Sequence, residues 1–367
     1  EAVCELLADG GDSEAVALGA SRVLSKVSVH GACRGRLLEA GAPGALLRAM
    51  ERYQDNVSLA IRCCFVLGNL TAQDEGHRLG LAGAGGGVDL LMGLLQRHTQ
   101  AVLTAAPGAG RELDLSEDLL VKLVRLLAHI AISPSAGPGL SQHPSVASLV
   151  MLLEGAEGVR SEELVLNVVS ALTNLSYYDA REGVMWSNRG QIAEGLAPML
   201  FQDNDEAVLE AARAFGNLSR DEATRSAMHT TRVDEAMVLL LDHTSPPVVA
   251  AVAGVLVNLS ADRRCAGTIV HTDGIGALMD TIERVGAADA ATPTTLGHAL
   301  YNLCATVEWE LESGVVTGLL ALSEEVGEQA GAALEGGGDE RLEGLADVMA
   351  RINREVRRHC LDDDEEV

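Results

Sequence analysis

The sequence predicts an all-α solenoid of about seven repeats, closed by a C-terminal capping helix. Three observations carry this prediction. A short motif recurs at a constant spacing, apolar residues make up 47% of the 367 residues, and aromatic residues make up only 2%. A core built from Leu, Val, Ala and Ile suits closely packed helices.

The recurring motif is Leu-x-Asn-Leu-Ser or a near relative, at the end of an apolar segment. Its Asn occupies five positions, Asn69, Asn174, Asn217, Asn258 and Asn302. Two degenerate copies carry Lys26 and His129 instead. The seven positions, called the ladder positions below, are 41 to 45 residues apart, except for one step of 60. A period near 43 is typical of solenoids made of two or three helices per repeat.

Roughly 28 residues before the ladder position, a break of small residues precedes an apolar helix, as Gly41 does before the apolar pair Leu46 and Leu47. Pro246 follows Ser245 where the long third helix should begin, a common helix-start signal. A short, a medium and a long helix therefore make one repeat, which is the armadillo pattern. We expect neighbouring repeats to stack into a right-handed superhelix, with the third helices lining its concave side.

The domain boundaries follow from the same period. Armadillo repeats are expected over residues 1–326, with a flexible insertion at about 97–116 that accounts for the long step. Residues 327–339 form a predicted Gly/Ala/Glu-rich linker. Residues 340–360 form the capping helix, because Leu342, Leu345, Met349, Ile352 and Val356 share one helical face. Residues 361–367 form an acidic tail.

The ladder positions are the candidate binding site. An Asn side chain offers one acceptor and two donors, which match the peptide unit of an extended partner. The alternative is that each Asn stabilises its own helix and contacts no ligand. Four residues earlier on the same face lie Arg22, Phe65, Arg125, Ser170, Arg213, Gly254 and His298. This row lacks the Trp of peptide-binding importins, which argues against a nuclear-import receptor.

The arginines of this row predict a basic stripe suited to an acidic, extended peptide; simple solvation of these side chains is the alternative. The binding residues predicted are the five ladder Asn together with Arg22, Lys26, Arg125, His129, Arg213 and His298. The net charge of −26 argues against nucleic acid as a partner. No apolar run is long enough for membrane insertion. No catalytic set, cofactor motif or metal-ligand spacing is visible, so we expect no enzymatic activity, cofactor or metal.

Several segments go beyond the generic repeat. They are Phe65–Ala72, the run from Glu117 to Gly139, the segment from Glu162 to Tyr178, and Ala214–Ser219. They resemble the C-terminal region of the armadillo repeat-containing protein 2 family. The resemblance implies a non-enzymatic adaptor in motile cilia and flagella that links radial spokes to intraflagellar transport or anchors them in the axoneme. It implies location in the cilium and the cytoplasm. The alternative is a general armadillo scaffold for signalling or cytoskeletal partners outside cilia.

Overall fold

The computed structural model describes residues 2–9, 13–83, 85–105, 110–155, 161–179, 181–306, 311–336 and 341–360. The described residues are helical or lie in the turns between helices, and no strand occurs among them. The chain divides into two compact units, Glu1–Gly195 and Leu196–Val367, each with its own internal packing.

The first unit contains the helices of the first four repeats and the opening helices of the fifth. Its α-helices are α1 (Ala2–Asp9), α2 (Glu14–Ser28), α3 (Gly31–Glu39), α4 (Ala42–Arg52), α5 (Val57–Thr71), α6 (Glu75–Ala82), α7 (Gly87–Leu103), α8 (Gly110–Ala131), α9 (Gly137–Gln142), α10 (Ala147–Glu154), α11 (Glu162–Ser176), α12 (Val184–Ser187) and α13 (Arg189–Leu196). The third helices α2, α5, α8 and α11 pack side by side in chain order.

The second unit continues the same plan. Its α-helices are α14 (Asp205–Leu218), α15 (Glu222–Thr230), α16 (Val233–Leu239), α17 (Pro246–Ser260), α18 (Arg263–His271), α19 (Gly274–Val285), α20 (Ala291–Thr306), α21 (Ser313–Glu335) and α22 (Arg341–Cys360). The third helices α14, α17 and α20 again pack in order, and α22 packs on both α20 and α21.

All seven predicted third helices are present, which confirms the period. Each ends one to four residues after its ladder position. Three of them start at polar caps: Asn56, Ser161 and Asn204 accept hydrogen bonds from backbone amides in the first turn of α5, α11 and α14. The predicted start after Ser245 is confirmed, since α17 begins at Pro246.

The corner that precedes the second helix of a repeat uses the left-handed backbone region. Gly41 and Gly86 adopt φ of 68° and 78° there, as glycines do without strain. In the sixth and seventh repeats Arg232 and Asp273 adopt φ of 59° at the same point. The corner geometry is therefore kept even where the sequence no longer supplies glycine, at a cost of about 1 to 2 kcal/mol per residue.

The insertion expected as a flexible excursion at about 97–116 is mostly helix. The extra residues lengthen α7 to 17 residues, against 11 for the second helix α4, and α8 to 22 residues, against 15 for the third helix α5. Residues 106–109 lie outside the described part. Buried His98 and Ser116 join the two helices through a contact of 3.1 Å between Nδ1 and Oγ. Apolar side chains continue along both extensions, and packing them together favours helix over loop.

The predicted linker at 327–339 is also largely wrong, because α21 runs through it to Glu335. Leu319, Leu322, Val326 and Ala330 form a buried stripe that packs against α22. This burial outweighs the low helix propensity of the interspersed glycines. The capping helix is α22, and all five side chains predicted for its apolar face are buried. The predicted acidic tail, 361–367, lies outside the described residues.

Candidate functional site

The ladder side chains of the second unit connect successive third helices. Asn258 Nδ2 donates to Gly216 O at 3.2 Å and to Ser219 Oγ at 2.9 Å. Asn302 Nδ2 donates to Val257 O and to Ser260 Oγ, both at 3.2 Å. In both cases the acceptors are the carbonyl one residue before, and the hydroxyl two residues after, the ladder position of the preceding repeat.

The same rule holds in the first unit. Asn69 Nδ2 donates to Ser28 Oγ at 3.1 Å, and Asn174 Nδ2 donates to Ala128 O at 3.0 Å. Asn217 holds the equivalent place on α14. The Ser or Thr that ends the motif is therefore an acceptor for the next repeat, which explains why it recurs.

His129 replaces Asn at its ladder position and makes the same contacts. Its Nδ1 lies 3.1 Å from Gly68 O and 3.4 Å from Thr71 Oγ1. Burial, followed by the nearby charge of Arg125, lowers the pKa of His129 to about 4. The imidazole is therefore neutral near pH 7. Because a carbonyl oxygen only accepts, Nδ1 must carry the proton that it donates to Gly68 O.

The row four residues earlier separates into exposed and half-buried members. The three exposed members are the arginines Arg22, Arg125 and Arg213. The half-buried members are Phe65, Ser170, Gly254 and His298. Arg213 is paired with Glu210 of its own helix at 2.8 Å. Within the described part of the chain, neither Arg22 nor Arg125 has an acidic partner at ion-pair distance.

On each third helix, the ladder position and the positions four and seven residues before it lie on one side. We call this side the ladder face. In the first unit this face is basic, with Arg22, Lys26, Arg62, Lys122 and Arg125. Lys26 and Lys122 are the only two lysines of the chain. Lys122 is bound to Glu163 at 3.0 Å. Lys26 is exposed near the end of α2. A chain of net charge −26 thus concentrates positive charge on one face.

The equivalent positions of the second unit are not basic. The residues seven before the ladder positions are Glu210, Ala251 and Thr295, and Arg213 is neutralised by Glu210. His298 is half-buried on the same face. The basic stripe predicted along the whole row is therefore strongest in the first unit, where the residues seven before the ladder position, Arg62 and Lys122, extend it beyond the predicted set.

A second cluster, in the second unit, was not predicted. His229 on α15, Asp234 on α16 and Cys265 on α18 bring one ligand atom each to within 4.8 Å of one another. His229 Nδ1 lies 2.7 Å from Asp234 Oδ2. No linear pattern marks this group, because its members belong to two repeats and follow no known motif.

The cluster does not suit nucleophilic catalysis. Cys265 is 1% exposed. Burial, followed by the charges of Asp262 and Asp234, raises the pKa of its thiol to about 12. A nucleophilic cysteine needs an accessible thiolate with a lowered pKa.

No single helix among the described residues is both long enough and apolar enough to cross a membrane, although the sharply bent pair α6 and α7 meets that test jointly.

No family profile matches the chain. Curated relatives do: armadillo repeat-containing protein 2 from Mus musculus is 32% identical over 305 residues, which is 82% of this chain and 36% of the relative. The protein of that name from Homo sapiens is 31% identical over 303 residues, or 80% of this chain and 35% of the relative. The chain thus spans about a third of the length of the curated relatives it matches.

Solved structures support the fold. A structure from a study of the phosphorylation switch that controls the interaction between cadherin and β-catenin has a TM-score of 0.76 and 14% identity, and covers 98% of this chain and 68% of that chain. A designed armadillo repeat protein in complex with the peptide (KR)4 has a TM-score of 0.53 and 18% identity, and covers 70% of this chain and 98% of its own.

The repeated three-helix units, the ladder and these neighbours make this chain an armadillo-repeat α-solenoid. Its resemblance to the armadillo repeat-containing protein 2 family is confirmed by curated relatives that share about 30% of its residues over about four fifths of its length.

Proposed function

We propose that this chain is a non-enzymatic protein-interaction scaffold of motile cilia and flagella. In this role it is an adaptor that links radial spokes to intraflagellar transport or anchors them in the axoneme, and it resides in the cilium and the cytoplasm. The observation that carries the proposal is the match to armadillo repeat-containing protein 2 over 82% of the chain. The segments that carry the resemblance lie within well-packed third helices and their corners.

The ladder face of the first unit supports a binding role. Arg22 and Arg125 are exposed and have no acidic partner at ion-pair distance among the described residues, so both are available to a ligand. Solvated arginines can bind carboxylates in a bidentate manner. We propose that a partner segment docking here is extended and acidic, and that it belongs to a radial-spoke or intraflagellar-transport component.

The experiment that tests the ciliary role is removal of the protein from a flagellated organism, followed by electron tomography of the axonemes. We expect cilia that assemble but beat poorly, with some or all radial spokes missing. A complete set of spokes in the null strain would contradict the proposal. A tagged protein found only in nuclei or at cell junctions would favour the general scaffold outside cilia.

Two variants, each expressed in the null strain, separate folding from binding. Leu172→Ala should fail to restore the spokes because it removes a fully buried side chain. Arg22→Glu combined with Arg125→Glu should leave a folded protein, since both side chains are exposed. If this folded variant does not restore the spokes, the function depends on the ladder face. If it restores all of them, the partner binds elsewhere.

A further inference from the structure

We propose that His229, Asp234 and Cys265 form a binding site for a divalent transition-metal ion of the zinc type. This inference is independent of the ciliary role. The three ligand atoms lie within 4.8 Å of one another, in the corner between the sixth and seventh repeats. Asp234 and Cys265 are buried, whereas the His229 side chain is 37% exposed. An ion can therefore reach the cluster from the imidazole side.

The repeat pattern does not account for Asp234. It stands two residues after the left-handed corner residue Arg232. The same position holds the apolar residues Pro43, Val88 and Ile275 in other repeats. A carboxylate at this point gains nothing from the packing that the fold requires. Its burial needs a specific electrostatic compensation.

The chain itself compensates little of the negative charge of the buried Asp234 carboxylate. Asp234 Oδ2 faces His229 Nδ1 at 2.7 Å, and its Oδ1 accepts the Glu235 amide at 3.1 Å. Within the described residues, no Arg or Lys lies at ion-pair distance from this carboxylate. A metal ion bound beside it supplies the missing positive charge.

The neighbours of His229 point to the same small volume. Thr268 Oγ1 lies 3.5 Å from His229 Nδ1, the same nitrogen that faces Asp234 Oδ2 at 2.7 Å. One ring nitrogen cannot serve a carboxylate and a hydroxyl equally well. The Cys265 thiol makes a long contact of 3.9 Å to Arg225 O, and its other hydrogen-bonding neighbour is the side chain of Asp262. The donor atoms thus converge while their present hydrogen bonds are few.

The donor set selects the type of ion. One imidazole nitrogen, one carboxylate oxygen and one sulfur are ligands that zinc accepts, whereas calcium and magnesium prefer oxygen alone. Three protein ligands leave a fourth position for water or for a group from a partner. Binding requires the thiolate, so the Cys265 proton is released to solvent as the sulfur–metal bond forms.

The location implies a structural effect. His229 and Asp234 belong to the first and second helices of the sixth repeat, and Cys265 belongs to the first helix of the seventh. A bound ion therefore joins two neighbouring repeats at their short helices. Because the ion binds the folded chain and not the unfolded one, it should raise the midpoint of thermal unfolding.

The test uses the purified chain after removal of metal by a chelator and dialysis. Zn²⁺ is titrated by calorimetry, and bound zinc is counted by mass spectrometry after a second dialysis. We expect one equivalent of Zn²⁺. Cys265→Ser and Asp234→Asn should each lower the affinity at least about tenfold, since even the loss of an outer-shell partner has effects of that size. Cys33→Ser and His271→Ala, outside the cluster, serve as controls and should bind as the parent does.

Co²⁺ gives a readout on the unmodified chain, so a variant that fails to fold cannot obscure the result. Thiolate ligation should produce a sulfur-to-cobalt charge-transfer band, and the band should be lost in Cys265→Ser with helical circular dichroism preserved. The proposal would be overturned if the parent chain shows no such band or retains no zinc. It would also be overturned if Cys265→Ser and Asp234→Asn retain as much zinc as the parent chain.

Discussion

Asn258 reaches across from α17 to α14 and donates hydrogen bonds to the Ser219 hydroxyl at 2.9 Å and to the Gly216 carbonyl at 3.2 Å. Ser219 is fully buried. The Asn of one repeat and the Ser of the repeat before it thus form a single polar contact inside an apolar stack. The ladder is a set of such contacts, and the motif encodes both partners.

This contact should be measurable as a coupling energy. Asn258→Ala removes two hydrogen bonds and should lower the free energy of unfolding by about 1 to 3 kcal/mol, because buried acceptors lose their donor. Ser219→Ala should have a smaller effect. A double-mutant cycle monitored by urea denaturation should give an interaction of about 0.5 to 1.5 kcal/mol. Strictly additive effects would mean that the two side chains do not depend on one another.

His129 should make stability depend on pH. Its folded-state pKa of about 4 lies below the usual value of 6.5, so the unfolded chain binds a proton in this window and the folded chain does not. Stability is therefore complete above about pH 6.5 and is lost as the pH falls towards 4. Since the ring is partly exposed, we expect a loss of about 1 to 2 kcal/mol.

The control for this effect is His129→Asn, which restores the common ladder residue and cannot titrate. Urea denaturation at pH 7.5 and pH 5 should show a smaller loss for the variant than for the parent. His98, whose pKa is also lowered by burial, is present in both proteins, so its contribution cancels. An identical pH dependence in the two proteins would contradict the assignment.

Charge reversal should locate an acidic partner. Arg125→Glu should weaken binding of a labelled, extended Glu- and Asp-rich peptide by about 3- to 10-fold, since a solvated contact contributes up to about 1 kcal/mol and reversal adds repulsion. Arg213→Glu should have less effect, because Arg213 is already paired with Glu210. The peptide affinities of the two variants are measured by fluorescence polarisation at two salt concentrations. Unchanged affinity when Arg125→Glu and Arg213→Glu are combined would move the interface to another face.

The stacked core should be sensitive to truncation. Leu172 and Leu175 are 0% and 1% exposed on α11, so each change to Ala should cost about 2 to 5 kcal/mol. Leu239, which is 70% exposed, provides the matched control, and Leu239→Ala should be nearly neutral. The loss of stability in each variant is measured by thermal unfolding, monitored by circular dichroism. Equal effects at buried and exposed leucines would be inconsistent with this packing.

Tyr178 explains why glycine is needed at position 137. Its single hydroxyl proton is shared between two acceptors, Ala131 O at 2.7 Å and Ser133 O at 3.0 Å, which places the ring against Gly137. A Cβ added at Gly137 would lie 2.2 Å from ring atom Cε2. Gly137→Ala should therefore destabilise the chain by about 1 to 3 kcal/mol. Adding Tyr178→Leu should relieve part of that loss, and a simple sum of the two effects would argue against the close approach.

The sequence predicted those parts of the molecule that repeat. The Asn motif located all seven third helices, and the apolar face of Leu342 to Val356 located α22, because periodic burial leaves a periodic pattern. The predictions for 97–116 and 327–339 were wrong for a common reason. Glycine and alanine suggest flexibility in both segments, but half-buried apolar side chains such as Leu103 and Leu113, and the buried stripe from Leu319 to Ala330, pack as helix, and this packing decides the structure.

The candidate site was predicted only in part. Residue identity and spacing placed the ladder and the row of arginines on one face, but could not show that the Asn amides bind the preceding repeat or that Arg213 is paired. The group of His229, Asp234 and Cys265 left no linear signal, since Cys265 lies 36 positions from His229 and 31 from Asp234.

The inter-repeat hydrogen bonds of the ladder have a consequence for the thermodynamics of binding. Asn69, Asn174 and Asn258 each hold Nδ2 against the repeat before, so the side chain is confined to one rotamer in the free protein. Immobilising a side chain at an interface usually costs about 0.5 to 1.5 kcal/mol, and here folding has already met that cost. A partner that donates to Oδ1, or that accepts the second amide proton of Asn69 or Asn174, would meet a preorganised surface, and its association would lose little side-chain entropy.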